Sequence, residues 1–407
     1  LELAAQAAGR LGHGGALDPL APAGEPLPAV VSVVRQRPAE WFAAERLNLT
    51  AAVHLAGRLG RPHLAGDLAL QLDGYLVIRY DEAEREAVLR SAIACWPDPA
   101  APDRRLSRLY FALCWATYQQ DRYAELADAA GHALTVATRV GDPEIIADAT
   151  WQVAKATALR GRLRSAAELY RKSLAEARRR GQSDRSLAYA FTGLANVLAD
   201  LGRPADAAGH YRQALSHHRA DDRTRVVILL RFAEALADAA EGQQAVELLA
   251  EAQGIVTVIG DDVGAAHVER LHGLIDITHR DWARASARLQ PVLATLRDHR
   301  DALGVVHVLR ALGDAAIGAG RSVTARRHLA DALTACHPMG APVETARIEA
   351  RLAATFRLSG ELAPADAHTA AYRSTLASLA LPEASLRLPG HVRALLPARP
   401  EPAGQKA

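Results

Sequence analysis

Lysine is nearly absent from this chain: Lys155, Lys172 and Lys406 are the only three among 48 basic residues, which face 46 acidic ones for a net charge of +2. The arginines are interspersed with Asp and Glu. Phosphate neutralisation needs a clustered basic face, so direct contact with nucleic acid is not expected of this chain. Long apolar runs are missing too. The longest stretch without Asp, Glu, Lys or Arg is Ser186 to Ala199, 14 residues, against the roughly 18 to 20 needed to cross a bilayer. No transmembrane segment and no membrane partner is expected. The N-terminus has no basic region followed by an apolar run and a cleavage site, and the three cysteines (Cys95, Cys114, Cys336) are an odd, widely spaced set, so a cytoplasmic location is expected. The only methionine is Met339 and the chain opens Leu-Glu-Leu, which suggests a piece of a longer protein.

Signatures of catalysis are also lacking. No lysine follows a glycine, so the G-x-x-x-x-G-K-[ST] phosphate cradle is absent, as is G-x-S-x-G. The 16 histidines include His217-His218, His267, His272 and His307, yet none stands in H-E-x-x-H, H-x-x-E-H or C-x-x-C spacing. No enzyme activity, cofactor or metal is expected. The pairs Asp221-Asp222 and Asp261-Asp262 read as helix caps between repeats.

What is present is a period. Gly264-Ala-Ala-His-Val-Glu-Arg-Leu-His-Gly273 and Gly304-Val-Val-His-Val-Leu-Arg-Ala-Leu-Gly313 share glycine, histidine, valine, arginine and glycine at a separation of 40. Turn residues between paired helical patterns fall at Asp121, Gly161, Gly202, near Ala240, Arg280, Gly320 and Gly360. The clearest copy runs Phe191, Leu194-Ala195, Leu198, Gly202, Ala207, Tyr211, Ala214-Leu215. Apolar residues at i, i+3, i+4 and i+7 on each side of the glycine predict two helices, with small residues where they approach. This unit resembles the tetratricopeptide (TPR) repeat, stretched from 34 to about 40 residues. Thr157 stands for its inner Tyr, Arg280 for its turn glycine, and no copy carries the closing proline. The resemblance implies an all-α, right-handed superhelical solenoid.

Three regions follow. Residues 1–102 read as an N-terminal helical cap and connector with an irregular helix pair: a short helix from Leu3 to Leu11, a loop over Gly12 to Pro28, a helix from Trp41 to Leu59 after a stop at Pro38, then helices Leu64 to Arg79 and Glu82 to Cys95. Residues 103–388 read as seven TPR-like repeats, and 389–407, with Pro389, Pro397, Pro400 and Pro402, as a disordered tail.

Trp41-Phe-Ala-Ala-Glu-Arg-Leu-Asn-Leu-Thr-Ala-Ala-Val53, followed by a helix pair and long repeats, is similar to the W-x-x-x-E-R-x-N-L-x-A-A-V segment of large actinobacterial transcriptional regulators of the antibiotic-regulatory (SARP) type. The preceding Leu3 to Gly12 and the Leu17-Asp-Pro loop also resemble the connector that leads into this helix in those proteins. Such proteins join a DNA-binding head, an NTPase module of the STAND signalling class, a winged helix and a TPR sensor. The resemblance implies that this chain is the sensor and interaction part, without the catalytic and DNA-reading parts.

In TPR solenoids the first helix of each pair lines a concave groove. Transferred to this register, groove positions are Arg108, Phe111, Trp115, Tyr118 and Gln119; Asp148, Trp151 and Lys155; Tyr189, Thr192, Asn196 and Asp200; Glu234 and Asp238; His267 and Arg270; and His307, Arg310 and Asp314. In a chain only 5% aromatic, Trp115, Trp151, Phe111, Tyr118 and Tyr189 on one surface read either as a binding platform or as packing between adjacent first helices. The pairs His267/Arg270 and His307/Arg310 read either as a cationic ladder for an acidic peptide or anion, or as counter-charges to carboxylates of neighbouring repeats. Two functions remain open: a sensor of a transcriptional regulator whose groove takes a small-molecule effector, a protein or peptide, or its own NTPase module; or an independent scaffold bridging protein partners without switching.

Overall fold

The computed structural model describes residues 2–10, 28–79, 81–180, 184–239 and 241–398. Most of the Gly12–Pro28 loop, Ala240 and the tail from residue 399 lie outside the described residues. Among the described residues the chain is all-α, with twenty α-helices and no strand. In chain order they are α1 (Glu2–Arg10), α2 (Pro28–Gln36), α3 (Pro38–Arg58), α4 (Pro62–Arg79), α5 (Glu82–Ile93), α6 (Arg104–Gln119), α7 (Tyr123–Val140), α8 (Pro143–Leu159), α9 (Leu163–Arg180), α10 (Asp184–Asp200), α11 (Pro204–His217), α12 (Arg223–Asp238), α13 (Gly242–Ile259), α14 (Asp262–Thr278), α15 (Trp282–Asp298), α16 (Ala302–Gly318), α17 (Ser322–Cys336), α18 (Pro342–Leu358), α19 (Leu362–Ser378) and α20 (Gly390–Arg393). None is long and apolar enough to cross a membrane.

The helices begin and end where local chemistry directs. Asp103, Asp222, Asp261, Asp281 and Asp301 each stand just before a helix and accept a hydrogen bond from its first free amides, as Asp261 does from Gly264 N at 2.9 Å. The turns inside the pairs are left-handed at Asp121 (φ 54°), Gly161, Gly202, Arg280 (φ 62°), Gly320 and Gly360. Asp121 and Arg280 adopt this conformation despite carrying a Cβ, at the positions where the repeat lacks its glycine. Pro38 opens α3 rather than stopping an earlier helix, because a proline in the first turn forfeits no helical hydrogen bond. α2 was not legible in the sequence.

The chain divides into two compact units, residues 1–156 and 157–407. This division differs from the boundary at residue 102. The Trp96–Pro102 break is a loop, but its Trp96 is buried and plugs unit 1: a Cβ placed on Gly66 of α4 would stand 2.6 Å from the Trp96 ring and 3.4 Å from Leu109 of α6. Arg105 at the start of α6 donates to Asp67 of α4 at 2.8 Å. In the same unit α3 carries the Trp41–Val53 segment, with Phe42 stacked on Tyr75 at 5.1 Å and Arg46 paired with Glu84.

Unit 2 shows how the repeats close up. A Cβ on Gly273 of α14 would lie 2.8 Å from Leu289 Cγ of α15, and one on Gly313 of α16 would lie 2.8 Å from Leu329 Cγ of α17. The contact recurs with the period of 40, and the glycines let the two helices of each pair approach to leucine-in-groove distance. The first helices α10, α12, α14, α16 and α18 touch in succession. Within this unit the chain returns on itself: Arg347 of α18 donates to Asp200 of α10 at 2.8 Å.

The expectation of disorder from Pro389 is corrected for residues 389–398. After α19 the backbone turns left-handed at Ala380, forms a 3-10 turn over Glu383–Leu386, turns left-handed again at Arg387 and ends in α20. Leu381, Leu386, Leu388 and Val392 are buried. The apolar side chains are spaced without helical period among prolines, so composition alone masked them.

Candidate functional site

The first-helix positions divide between the units and form two separate sites. In unit 1, Trp115 and Tyr118 of α6 meet Trp151 of α8, with ring centroids 5.6 Å apart for the two tryptophans and 6.0 Å for Trp115 and Tyr118. The cluster is filled from within. The Lys155 ammonium lies 3.1 Å from the Tyr118 centroid, 4.0 Å from that of Trp115 and 5.3 Å from that of Trp151. A cation among three ring faces is stabilised by their quadrupoles by about 0.5–2 kcal/mol. Trp151 is 9% exposed and serves the core, whereas Trp115, Tyr118 and Phe111 are half-buried and Arg108 and Gln119 exposed. Behind the cluster, burial pushes the Cys114 thiol up to about 12, so it stays protonated.

In unit 2 the polar first-helix residues form a charge network running from helix to helix. Arg270 of α14 donates to Glu234 of α12 at 3.4 Å, Arg310 of α16 pairs with Glu344 of α18, and Arg351 of α18 donates to Asp314 of α16 at 2.8 Å. Burial alone would raise the carboxyl of Glu234, but Arg270, Arg387 and Arg231 hold it well below the usual range. Glu344 is lowered likewise against its burial by Arg310 and Arg347. Of the two readings of the His–Arg pairs, the geometry thus matches counter-charges to neighbouring carboxylates.

His307 does not extend a cationic ladder. Burial lowers His307 to about 4, a neutral ring at neutral pH, although Glu344 at 3.8 Å opposes the shift. His267 faces Asp301 at 2.7 Å. Burial works to raise that carboxyl, but the His267 ring and the Gly304 amide outweigh it and bring it to about 2. Asn196 spends its side-chain carbonyl on the Tyr211 hydroxyl at 2.6 Å, Thr192 bonds its own helix, and Tyr189 is half-buried on α10. His217 and His218 face Asp184 and Asp222, each at 2.8 Å. Among the described residues no group of three His, Cys, Asp or Glu is arranged to hold a metal ion.

The residues that sequence reasoning missed are those that complete the network. Arg347 lies one period beyond His307, itself one period beyond His267; extending the register by another 40 residues would have reached it. Arg347 Nε donates to the main-chain carbonyl of Ser385 at 2.9 Å, and Arg351 Nη2 to that of Arg387 at 3.1 Å. Arg387 itself reaches Asp238, Asp200 at 3.3 Å and Glu234 at 3.9 Å. His391 Nε2 lies 2.9 Å from the carbonyl oxygen of Asp314, its ring 4.6 Å from that of Trp282. Four helices of the first-helix face, α10, α12, α16 and α18, therefore touch the segment that follows α19.

No protein-family model and no curated protein sequence matches the chain. Solved structures do. The chain is similar to the Rap conjugation gene regulator of the plasmid pLS20 in complex with the Phr* peptide, with a TM-score of 0.59 at 15% identity over 68% of this chain and 75% of that one. A Rap protein complexed with competence and sporulation factor gives 0.56 at 11% identity over 77% and 98%. The apo quorum sensor NprR from B. thuringiensis gives 0.54 at 12% identity over 75% and 87%. At these identities the likeness is one of fold: the chain is an all-α solenoid of TPR-like repeats.

Proposed function

We propose that this chain is the peptide-sensing module of a multidomain regulator, and that its ligand site is the first-helix face of unit 2. The observation that carries the reading is main-chain recognition: Arg347 and Arg351 donate to the carbonyls of Ser385 and Arg387. Side chains that bond carbonyls of a segment outside the α-helices accept a peptide largely irrespective of its sequence, while the carboxylates beside them select a cation. Two of the solved structures with this fold are complexes, one with the Phr* peptide and one with competence and sporulation factor, which adds weight to the reading. The test is selection of linear peptides on the immobilised chain. Peptides that lose binding to Asp200→Asn and Arg347→Ala support the proposal; peptides indifferent to both substitutions contradict it.

The regulator we infer is of the SARP type with a STAND NTPase, in which ligand binding or docking of the NTPase module shifts an equilibrium between inactive and assembled states. Support comes from the thirteen-residue segment Trp41 to Val53 on α3, placed directly before the helices that lead into the repeats. Sequencing the gene upstream of Leu1 tests this. A P-loop and winged helix there support the role in transcription; a start codon beside Leu1 leaves an independent scaffold.

A further inference from the structure

The segment after α19 is bound in the manner of a ligand. Its backbone carbonyls are captured by Arg347 and Arg351, and Leu386 and Val392 are buried. Ala384 rests against Gly202, where an added Cβ would come within 2.3 Å of the Ala384 Cβ. Its guanidinium, that of Arg387, is surrounded by Asp200, Glu234 and Asp238, carboxylates from two different repeats. Glu234 also has Arg270 and Asp200 also has Arg347, whereas the ion pair of Asp238 is with Arg387. A left-handed residue at position 387, φ 49°, aims that side chain into the cluster.

We propose that the first-helix face of unit 2 reads an arginine-bearing linear peptide, and that residues 381–398 occupy it as a resident competitor. This inference rests on the peptide-site reading above and names its ligand class and its regulation. One feature favours a displaceable occupant over a permanent cap. Beside the apolar contacts of Leu386 and Val392, the segment is held by polar bonds to Arg347, Arg351, Asp200 and Asp238, and bonds of this kind are exchangeable for equivalent bonds from another chain with little net change in free energy. The short tether to α19 acts the other way by giving the segment a high effective concentration, so an external peptide prevails only when it binds better or when the tether is pulled away. Arg387 is then the residue that an incoming arginine replaces.

The experiment uses the full chain as wild type, Arg387→Ala and Arg387→Lys, each checked for helicity by circular dichroism. The probe is a fluorescein-labelled synthetic peptide spanning residues 381–398, with a second copy carrying Arg387→Ala. The probe is expected to bind the Arg387→Ala chain about tenfold or more tightly than wild type, with the Lys variant between them. The alanine-bearing probe is expected to bind weakly throughout. Hydrogen exchange over residues 383–396 reports whether the resident segment is released. Equal, measurable affinity for wild type and Arg387→Ala overturns the competitor and leaves the peptide site standing. No binding, with the segment still protected in Arg387→Ala, makes it a fixed cap and overturns this inference alone. No binding with the segment released overturns the peptide site as well.

Discussion

Arg351 Nε and Asp314 Oδ1 meet at 2.8 Å between α18 and α16, with both side chains only 2% exposed. A buried pair of this kind is not in itself strongly stabilising, but removing one member strands the other charge. Asp314→Ala is therefore expected to lower unfolding stability by about 3–5 kcal/mol. Replacing both residues with apolar side chains is expected to lose less. Urea-unfolding midpoints measure both, and a single-variant loss below about 1 kcal/mol would show the pair to be solvated.

His307 gives the fold an acid limit. The free side chain titrates near 6.5 and the buried one near 4. Between these values the unfolded chain takes up a proton that the folded chain refuses. Its contribution is therefore complete above about pH 6.5 and lost as the pH falls towards 4, amounting to roughly 3 kcal/mol. The depressed carboxyl of Glu344 beside it acts in the same direction at lower pH. His307→Gln should flatten the decline of stability between pH 6.5 and 4. Equal slopes for variant and wild type would refute the assignment.

Gly313 and Leu329 make the repeat contact testable. A Cβ at 313 would stand 2.8 Å from Leu329 Cγ, which sits at the base of its side chain and has little room to yield. Gly313→Ala is expected to destabilise unit 2 by about 1–3 kcal/mol through overpacking. Adding Leu329→Ala to relieve the clash should make the two effects less than additive. Strict additivity in a double-mutant cycle would contradict the contact.

The aromatic cluster of unit 1 predicts a division of roles. Trp151→Ala is expected to cost about 3–5 kcal/mol as a core truncation, and Lys155→Met about 1–2 kcal/mol through loss of the cation from the rings. The Lys155 variant should also shift tryptophan emission, since its ammonium stands 4.0 Å from the Trp115 ring. Unchanged emission would mean that the lysine does not reside there.

How much of this was legible follows from what each feature depends on. The helix pairs were readable because the period of 40 repeats a local pattern, and the turns followed even where Asp121 and Arg280 replace glycine. That Glu234, Arg270, Arg310 and Asp314 lie on corresponding faces of their helices was readable because helical spacing fixes which face a residue shares. Their partners were not, since Arg351 and Asp314 or Arg387 and Asp238 meet only through the curvature of stacked repeats, 37 and 149 residues apart. The filling of the aromatic cluster by Lys155 depends on side-chain conformers across two helices. Order at residues 389–398 was hidden because its apolar contacts have no period, and because the proline-rich composition around it argued the other way.

The central claim, that the first-helix face of unit 2 holds the chain's own residues 381–398 in place of a peptide ligand, is tested most directly by hydrogen exchange of the intact chain. The account predicts slow exchange at the amides of Ser385, Arg387 and Val392, and acceleration over the whole segment in Arg387→Ala while α10 to α19 keep their protection. Exchange at the rate of an unstructured peptide in the wild-type chain would contradict it.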